Sequence, residues 1–147
     1  MNRTPGISEE ILSRGFDLRI DTRGSSMFPL IRTGDRITIS PEKDPAVGDI
    51  IVFGRDDDMV CHRLVRIFER EGTKYFQTRG DSFFGLDEPV TAGQILGKVV
   101  KIERGNVSFP RRVLLLLSPA LKFGKVNAIV ISALLKIRKC FPAKKAS

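Results

Sequence analysis

A serine within a turn of small residues is the first group in this chain whose type could perform covalent chemistry. Ser26 lies in the segment 24–29, GSSMFP, directly after Ser25. A serine hydroxyl becomes an effective nucleophile when a neighbouring base removes its proton. A turn of this kind can also point backbone N–H groups at the oxyanion that forms on an attacked carbonyl. By itself the segment is a weak signal, because most serines in Gly/Pro turns are structural.

The single histidine of the chain is the candidate base. His62 lies in the segment 60–64, VCHRL, where the pattern predicts a β-strand. Side chains alternate between the two faces of a strand, so Cys61 is expected to face away from His62. This argues against a Cys–His pair and in favour of Ser26 as the nucleophile.

A histidine base works best beside a carboxylate that fixes its tautomer. Two candidates lie in the segment 78–89, TRGDSFFGLDEP. Asp81 follows a glycine at a predicted strand end, and Asp87 lies six residues further along. The residues alone leave both aspartates open as the partner of His62.

Other acidic residues are better explained by structure than by chemistry. The stretch 56–58 consists of three aspartates and suggests a metal site, but it lacks the spacing of a calcium loop. We interpret it as the solvated tip of a hairpin. Asp35 and Asp49 each follow a glycine at a predicted strand start, where a Gly-Asp pair typically forms a turn with a side-chain-to-backbone hydrogen bond.

The elements that must position these groups are short. Residues 1–20 predict a helix, starting near Ser8 and ending near Gly15, followed by a lead-in strand. Alternating or apolar runs predict five further strands, at 36–39, 49–53, 60–67, 74–78 and 95–102. Short strands with polar turns indicate a mainly β fold, an antiparallel sheet or partial barrel with short N-terminal and C-terminal helices.

The charge is distributed unevenly along the 147 residues. Residues 1–100 hold 14 Lys/Arg against 16 Asp/Glu, a net charge of −2, whereas residues 101–147 hold 11 against one, a net charge of +10. Basic tails bind phosphates, either of nucleic acid or of anionic lipid. The two cysteines lie far apart in sequence and predict no disulfide framework, which favours a reducing compartment.

The basic tail is also apolar between residues 113 and 137, which is long enough to span a bilayer. Lys122 and Lys125 lie at its middle, and each would cost about 2.5–3.5 kcal/mol at the centre of a spanning helix. Two short helices on an anionic membrane surface, at about 113–121 and 126–138, are the better prediction. The alternative, that these helices cover the sheet, stays open.

Several short motifs occur in a fixed order along the chain. They are SMFP at 26–29, GD at 34–35, GDIIVF at 48–53, HR at 62–63, TRGD at 78–81 and GKVV at 97–100. In order and spacing, over about residues 22–102, this set resembles the signal peptidase I family, within the superfamily that also contains self-cleaving repressors. Each motif is modest, but the ordered set is specific.

The resemblance implies a role for each candidate residue. Bacterial signal peptidases use a lysine base where this chain has His62, whereas the endoplasmic-reticulum and archaeal type has histidine there. In that Ser–His type the acid corresponds to Asp87, with Asp81 as a supporting carboxylate. Ser26 is then the nucleophile. Many bacterial members place a hydroxyl two residues before the nucleophile; this chain has glycine there, so Ser25 or backbone N–H groups are expected to hold the oxyanion.

These roles imply hydrolysis of a peptide bond in a signal or leader peptide through an acyl-enzyme, with no metal or organic cofactor. The substrate, a peptide or precursor protein, is expected to lie extended beside a strand. The resemblance divides the chain into a lead-in at 1–21, a signal-peptidase-like catalytic domain at 22–104 and a basic amphipathic tail at 105–147.

Other functions stay open at this stage. Because no export signal or N-terminal anchor is visible, the enzyme is expected at the cytoplasmic face of a membrane, where it would trim leaders of small ribosomally made peptides. A non-catalytic peptide-binding or membrane-adaptor protein could keep the same fold, although a complete Ser, His and Asp set argues against it. Nucleic acid is not the expected partner, because the apolar runs of the tail lack interleaved aromatic residues.

Overall fold

One open antiparallel sheet and a short helix make up the part of the chain that the structure describes. The computed structural model describes residues 6–42, 44–56 and 58–110. The elements are α1 (Ile7–Ser13), β1 (Leu18–Asp21), β2 (Arg36–Ser40), β3 (Ile50–Arg55), β4 (Asp58–Arg70), β5 (Thr73–Arg79), β6 (Val90–Thr91), β7 (Ile95–Arg104) and β8 (Val107–Pro110), with a 3-10 turn at Ala92–Gln94. None of the helices in these ranges is long and apolar enough to cross a bilayer.

The strands pair in the order β1-β2-β7-β3-β4-β5-β6, and β8 lies beside β7. Within the described ranges the two ends of this order do not pair, so the sheet does not close into a barrel. The predicted mainly β fold with a short N-terminal helix is confirmed. The predicted C-terminal helices lie outside the described residues.

The core lies on both faces of the central strand β3. Ile50 and Val52 pack into one hydrophobic cluster and Ile51 and Phe53 into the other. A strand covered on both faces reads as a continuous apolar run rather than as an alternation, which explains the IIVF sequence. Leu12 of α1 is buried in the first cluster, so the helix covers that face of the sheet.

The two Gly-Asp turns have the predicted structure. Asp35 accepts a hydrogen bond from the Arg32 backbone N–H at 2.8 Å, and Asp49 accepts one from the Ala46 backbone N–H at 3.0 Å. The glycine before each aspartate has a positive φ, a conformation that favours glycine. Arg104 adds an ion pair to Asp35 and thereby connects this turn to β7.

The five strands predicted beyond the lead-in are all present, mostly with longer bounds, and two strands were not predicted. β6 has two residues and β8 has four, which is too short for an alternating pattern to show. β8 continues the sheet past residue 104, where the sequence placed the end of the catalytic domain.

Candidate active site

The strand β4 brings His62 to a carboxylate. The His62 Nδ1–H donates to Asp87 Oδ2 at 2.7 Å, and the two side chains are only 10% and 16% exposed. Because the ring then carries its proton on Nδ1, the neutral imidazole presents Nε2 as a proton acceptor. Of the two aspartates that the residues alone left open, Asp87 is the one that contacts His62.

Asp87 is itself held by the neighbouring strand β5. The buried Thr78 hydroxyl donates to Asp87 Oδ2 at 2.6 Å, and the Asp87 backbone N–H donates to the Thr78 carbonyl at 2.9 Å. The Thr78 hydroxyl and the His62 Nδ1–H both donate to Asp87 Oδ2. These two hydrogen bonds restrict the position of the carboxylate and stabilise its charge. Sequence reasoning missed Thr78; the available signal was a polar residue at an inward position of the strand, two residues after Phe76.

Asp81 contacts an arginine rather than the histidine. Arg63 donates to both Asp81 carboxylate oxygens at 2.7 Å, and the two side chains are 4% and 2% exposed. The same guanidinium donates to the Gly48 carbonyl at 2.8 Å. Asp81 therefore holds the loop after β5 in place and does not contact the imidazole of His62. The supporting role that the resemblance implied for Asp81 would act through this loop.

That loop is hydrogen-bonded directly to the turn that carries Ser26, the candidate nucleophile. The Ser82 backbone N–H and hydroxyl both donate to the Ser26 carbonyl at 2.9 Å, and the hydroxyl also lies 3.0 Å from the Ser25 carbonyl. The Ser25 carbonyl accepts a further bond from the Phe28 N–H. The Arg63–Asp81 pair thus fixes the loop, and the loop fixes the position of Ser26.

The nucleophile turn and the histidine meet at Gly80. A Cβ at this position would lie 2.8 Å from the Ser26 carbonyl oxygen and 3.3 Å from His62 Nε2, so only glycine permits the approach. Among the described residues, the Ser26 hydroxyl and the His62 ring are not hydrogen-bonded to each other. Such bonds often form only in the complex with substrate.

Cys61 is not a competing nucleophile. Burial raises the pKa of its thiol to about 12, with the negative charge of Asp81 adding to the shift and Arg63 opposing it. A thiol with so high a pKa carries almost no reactive thiolate near neutral pH. The expectation that Cys61 faces away from His62 agrees with its packing in the hydrophobic cluster on the other face of the sheet.

A groove of about 600 Å³ borders Ser26. Its walls are residues 20–24 and the start of β4 at 58–61, and its floor is apolar, formed by Met27, Ile31, Ile37 and Val52. On its rim, the side chain of Asp21 accepts a hydrogen bond from Arg36 that lowers the pKa of this carboxyl. The groove can therefore hold an apolar side chain next to Ser26.

The wall formed by β4 is an available strand edge. Residues 58–63 of β4 pair with β3, whereas β5 begins to pair only at Arg63. Residues 58–62 therefore have no strand partner on their second side within the described part of the chain. An extended peptide can add to such an edge through its main chain while the groove receives alternate side chains.

The chain matches a known peptidase family over most of its length. The sequence model of the Peptidase S24-like family matches residues 7–100, a stretch that includes Ser26, His62 and Asp87. No curated protein matches the chain significantly. The matching family belongs to a superfamily of serine-type peptidases that includes self-cleaving repressors and signal peptidase I, and the match does not separate these members. With its histidine–carboxylate pair beside a serine turn and the family match over most of its length, the chain belongs to the Peptidase S24-like family.

Proposed function

We propose that this protein is a serine endopeptidase of the signal peptidase I type that cleaves a signal or leader peptide. The observation that carries the proposal is the His62–Asp87 hydrogen bond of 2.7 Å, next to the Ser26 turn at one end of an apolar groove. A partly buried carboxylate on Nδ1 suits a histidine that must take up a proton at Nε2. The ordered motifs from residue 26 to residue 100 add support for this member of the superfamily.

The reaction proceeds in two steps. The Ser26 hydroxyl attacks the peptide carbonyl and transfers its proton to His62 Nε2, while Asp87 stabilises the imidazolium. His62 returns this proton to the leaving amine, which departs and leaves an acyl group on Ser26. A water molecule, deprotonated by the same histidine, then releases the acyl group. Backbone N–H groups of the nucleophile turn, with Ser25, bind the oxyanion.

The groove suggests how a leader peptide would bind. Main-chain hydrogen bonds to β4 residues 58–62 would supply affinity regardless of sequence, and the apolar floor beneath Ser26 would select the side chain next to the cleaved bond. An anionic membrane surface is the proposed site of action, on the cytoplasmic face. The support is the net charge of +10 and the apolar runs of residues 101–147.

A covalent-labelling experiment tests the catalytic assignment. A serine-reactive phosphonate should add to Ser26, as mapped by mass spectrometry of the labelled peptide. The adduct should be lost in Ser26→Ala and strongly slowed in His62→Ala, since the base activates the nucleophile. Ser13→Ala removes a serine of α1 and is a matched control that should label normally. Undiminished labelling of Ser26→Ala, or normal peptide cleavage by His62→Ala, would contradict the proposal.

A further inference from the structure

Two arginines lie close together on one face of the β4–β5 hairpin. Arg66 lies opposite Gln77 and Phe68 lies opposite Tyr75, so these four side chains share a face. Arg79 is two residues from Gln77 along β5 and therefore lies on the same face, within reach of the long Arg66 side chain. We call these five residues the arginine face. Within the described ranges, neither the Arg66 nor the Arg79 guanidinium has an ion-pair or hydrogen-bond partner.

The acidic residues around this face do not neutralise it. Those nearest in sequence are Glu69 and Glu71 of the hairpin and Asp81, Asp87 and Glu88 of the following loop. Both aspartates are held in the pairs of the candidate site. Glu71 lies 3.7 Å from Arg70 at the hairpin tip, Glu69 lies on the opposite face with Lys74, and Glu88 is exposed to solvent. The positive charge of the arginine face is therefore available to an anionic partner.

The aromatic pair of this face holds one guanidinium in a fixed orientation. The Phe68 and Tyr75 rings stack with their centroids 5.6 Å apart, and the Arg66 guanidinium lies 4.9 Å from the centre of the Phe68 ring. Stacking uses the flat side of a guanidinium and leaves its N–H edge free for a bidentate bond to an anion. Because Phe68 already has a ring and a guanidinium against it, little of its face is left for a nucleic-acid base. These contacts favour a carboxylate-bearing peptide over a single-stranded nucleic acid.

The arginine face lies on the same side of β4 as the groove of the candidate site. Cys61 lines the groove, and the next residue on that side of the strand is Arg63, which lies opposite Arg79. Along β4, Arg66 is four residues from His62, a distance of roughly 13 Å that an extended peptide covers with about four residues. A peptide bound in the groove can therefore reach the arginines with a segment outside the cleaved bond.

We propose that the arginine face is an exosite that binds an acidic segment of the peptide substrate, about four or more residues from the cleaved bond. Carboxylates of this segment would form bidentate bonds with the two guanidiniums, while the groove holds an apolar side chain at the cleavage site. The inference rests on the proposed function, because it names the substrate class as peptides with an acidic stretch beside an apolar cleavage region. Binding to the exosite does not require cleavage, so the two proposals can fail separately.

Fluorescence anisotropy tests the exosite on the full chain carrying Ser26→Ala. The probe is a labelled peptide with a run of glutamates on each side of an apolar segment, and its neutral counterpart has glutamines instead. Arg66→Gln together with Arg79→Gln should weaken binding of the acidic peptide roughly 5–20-fold, because two exposed ion pairs are lost, and leave binding of the neutral peptide unchanged. The matched control is Arg14→Gln with Arg19→Gln, which removes the same charge from α1 and β1 and should bind like the parent.

A second double variant guards against a loss of folding. Arg66→Lys with Arg79→Lys keeps the charge but cannot form the bidentate bonds, so it should also weaken binding of the acidic peptide, by several-fold. Binding as tight as that of the parent in this variant would contradict the exosite geometry.

Three further outcomes would overturn the inference. Equal weakening in the two glutamine variants would mean that only net charge matters, and unchanged binding in both would assign the peptide to another basic part of the chain. Tighter binding of oligothymidine than of the acidic peptide, lost with Arg66 and Arg79, would make the face a nucleic-acid surface. The proposed function is read separately, from phosphonate labelling of Ser26 in the unsubstituted chain, which does not depend on these arginines.

Discussion

At the scale of single residues, the site contains groups that would react and groups that hold them. In the proposed mechanism Ser26, His62 and Asp87 form the reacting set, whereas Asp81 and Thr78 position its members. The two aspartates illustrate the difference. Asp87 contacts the His62 imidazole in a partly exposed cleft, whereas the Asp81 side chain is buried against the Arg63 guanidinium.

This difference separates the effects of the two aspartate substitutions. Asp87→Asn should reduce the cleavage rate by up to about 10⁴-fold with a small change in stability, because it loses the correct histidine tautomer. Asp81→Asn should instead lower the free energy of unfolding by roughly 3–5 kcal/mol, because it leaves Arg63 buried without its partner. Peptide cleavage and urea unfolding measure the two effects. A stable Asp81→Asn protein with a larger rate loss than Asp87→Asn would move the catalytic acid to Asp81.

Thr78 contacts Asp87 and not the reacting atoms, so its substitution should lower the cleavage rate without abolishing catalysis. Thr78→Val removes a hydrogen bond to a charged group, which is worth about 1.5–3 kcal/mol, or roughly 10–100-fold in rate. Thr78→Ser keeps the donor and should restore most of the activity. The loss in the valine variant should lie in kcat rather than in KM, and the serine variant should recover it. A purely structural threonine would lower stability and leave kcat of the folded protein unchanged.

The thiol of Cys61 gives a prediction about pH. Since burial raises its pKa to about 12, the thiolate appears only at strongly alkaline pH in the folded protein. In a Cys140→Ser background, iodoacetamide should therefore alkylate folded Cys61 very slowly at pH 8 and faster as the pH rises. Urea should abolish the protection, because an unfolded cysteine has a pKa of about 8.5. Rapid alkylation of the folded protein at pH 8 would show that the pKa of this partly buried thiol is not raised.

At the scale of elements, Gly97 permits two strands to pack closely, whereas Gly80 permits the Ser26 turn to approach His62. A Cβ at Gly97 of β7 would run into the Ser40 backbone carbonyl of β2, whereas a Cβ at Gly80 would press on the Ser26 carbonyl and the Phe83 ring. Gly97→Ala should thus weaken the pairing of two central strands and lower the thermal midpoint. Gly80→Ala should cost less stability but reduce kcat, because the nucleophile turn must shift.

Measuring thermal unfolding and kcat on both glycine variants checks this contrast. Gly93→Ala is a suitable control, since a Cβ there meets nothing within 4 Å. Unchanged kcat in a folded Gly80→Ala protein would indicate that the turn around Ser26 tolerates displacement.

The elements also show how much could be predicted. The alternation in segment 60–64 was sufficient to place Cys61 and His62 on opposite faces, because the side-chain period of a strand is fixed. The choice between Asp81 and Asp87 was not available from the residues alone. The position of Asp87 depends on a loop that leaves β5 and returns to it, where the Asp87 N–H donates to the Thr78 carbonyl. Such a contact leaves no local pattern in the sequence.

At the scale of the whole molecule, the described residues hold 14 Lys/Arg against 16 Asp/Glu, a net charge of −2, and the excess positive charge of the chain lies outside them. A chain ending after Pro110 keeps all eight strands and should fold. We predict that a larger fraction of the full chain than of this shorter chain sediments with anionic vesicles. Added salt should reduce this difference in the sedimented fraction, because salt screens exposed charges beyond about 8 Å at physiological strength. Unfolding of the shorter chain would place the predicted tail helices in the core. Tight binding of the full chain to nucleic acid but not to vesicles would contradict the membrane assignment.

The unpaired edge of β4 also affects how this protein behaves in a crowded solution. A row of free backbone donors and acceptors accepts any extended chain, including a strand from a second copy of the same protein. Most sheet proteins protect such edges with charges, bulges or covering loops. If the proposed substrate binds along residues 58–62, this edge must stay accessible, and Asp58 is the acidic residue among these five that discourages self-association. Aggregation propensity and substrate recognition would then depend on the same five residues, and a sequence change that suppresses one would be constrained by the other.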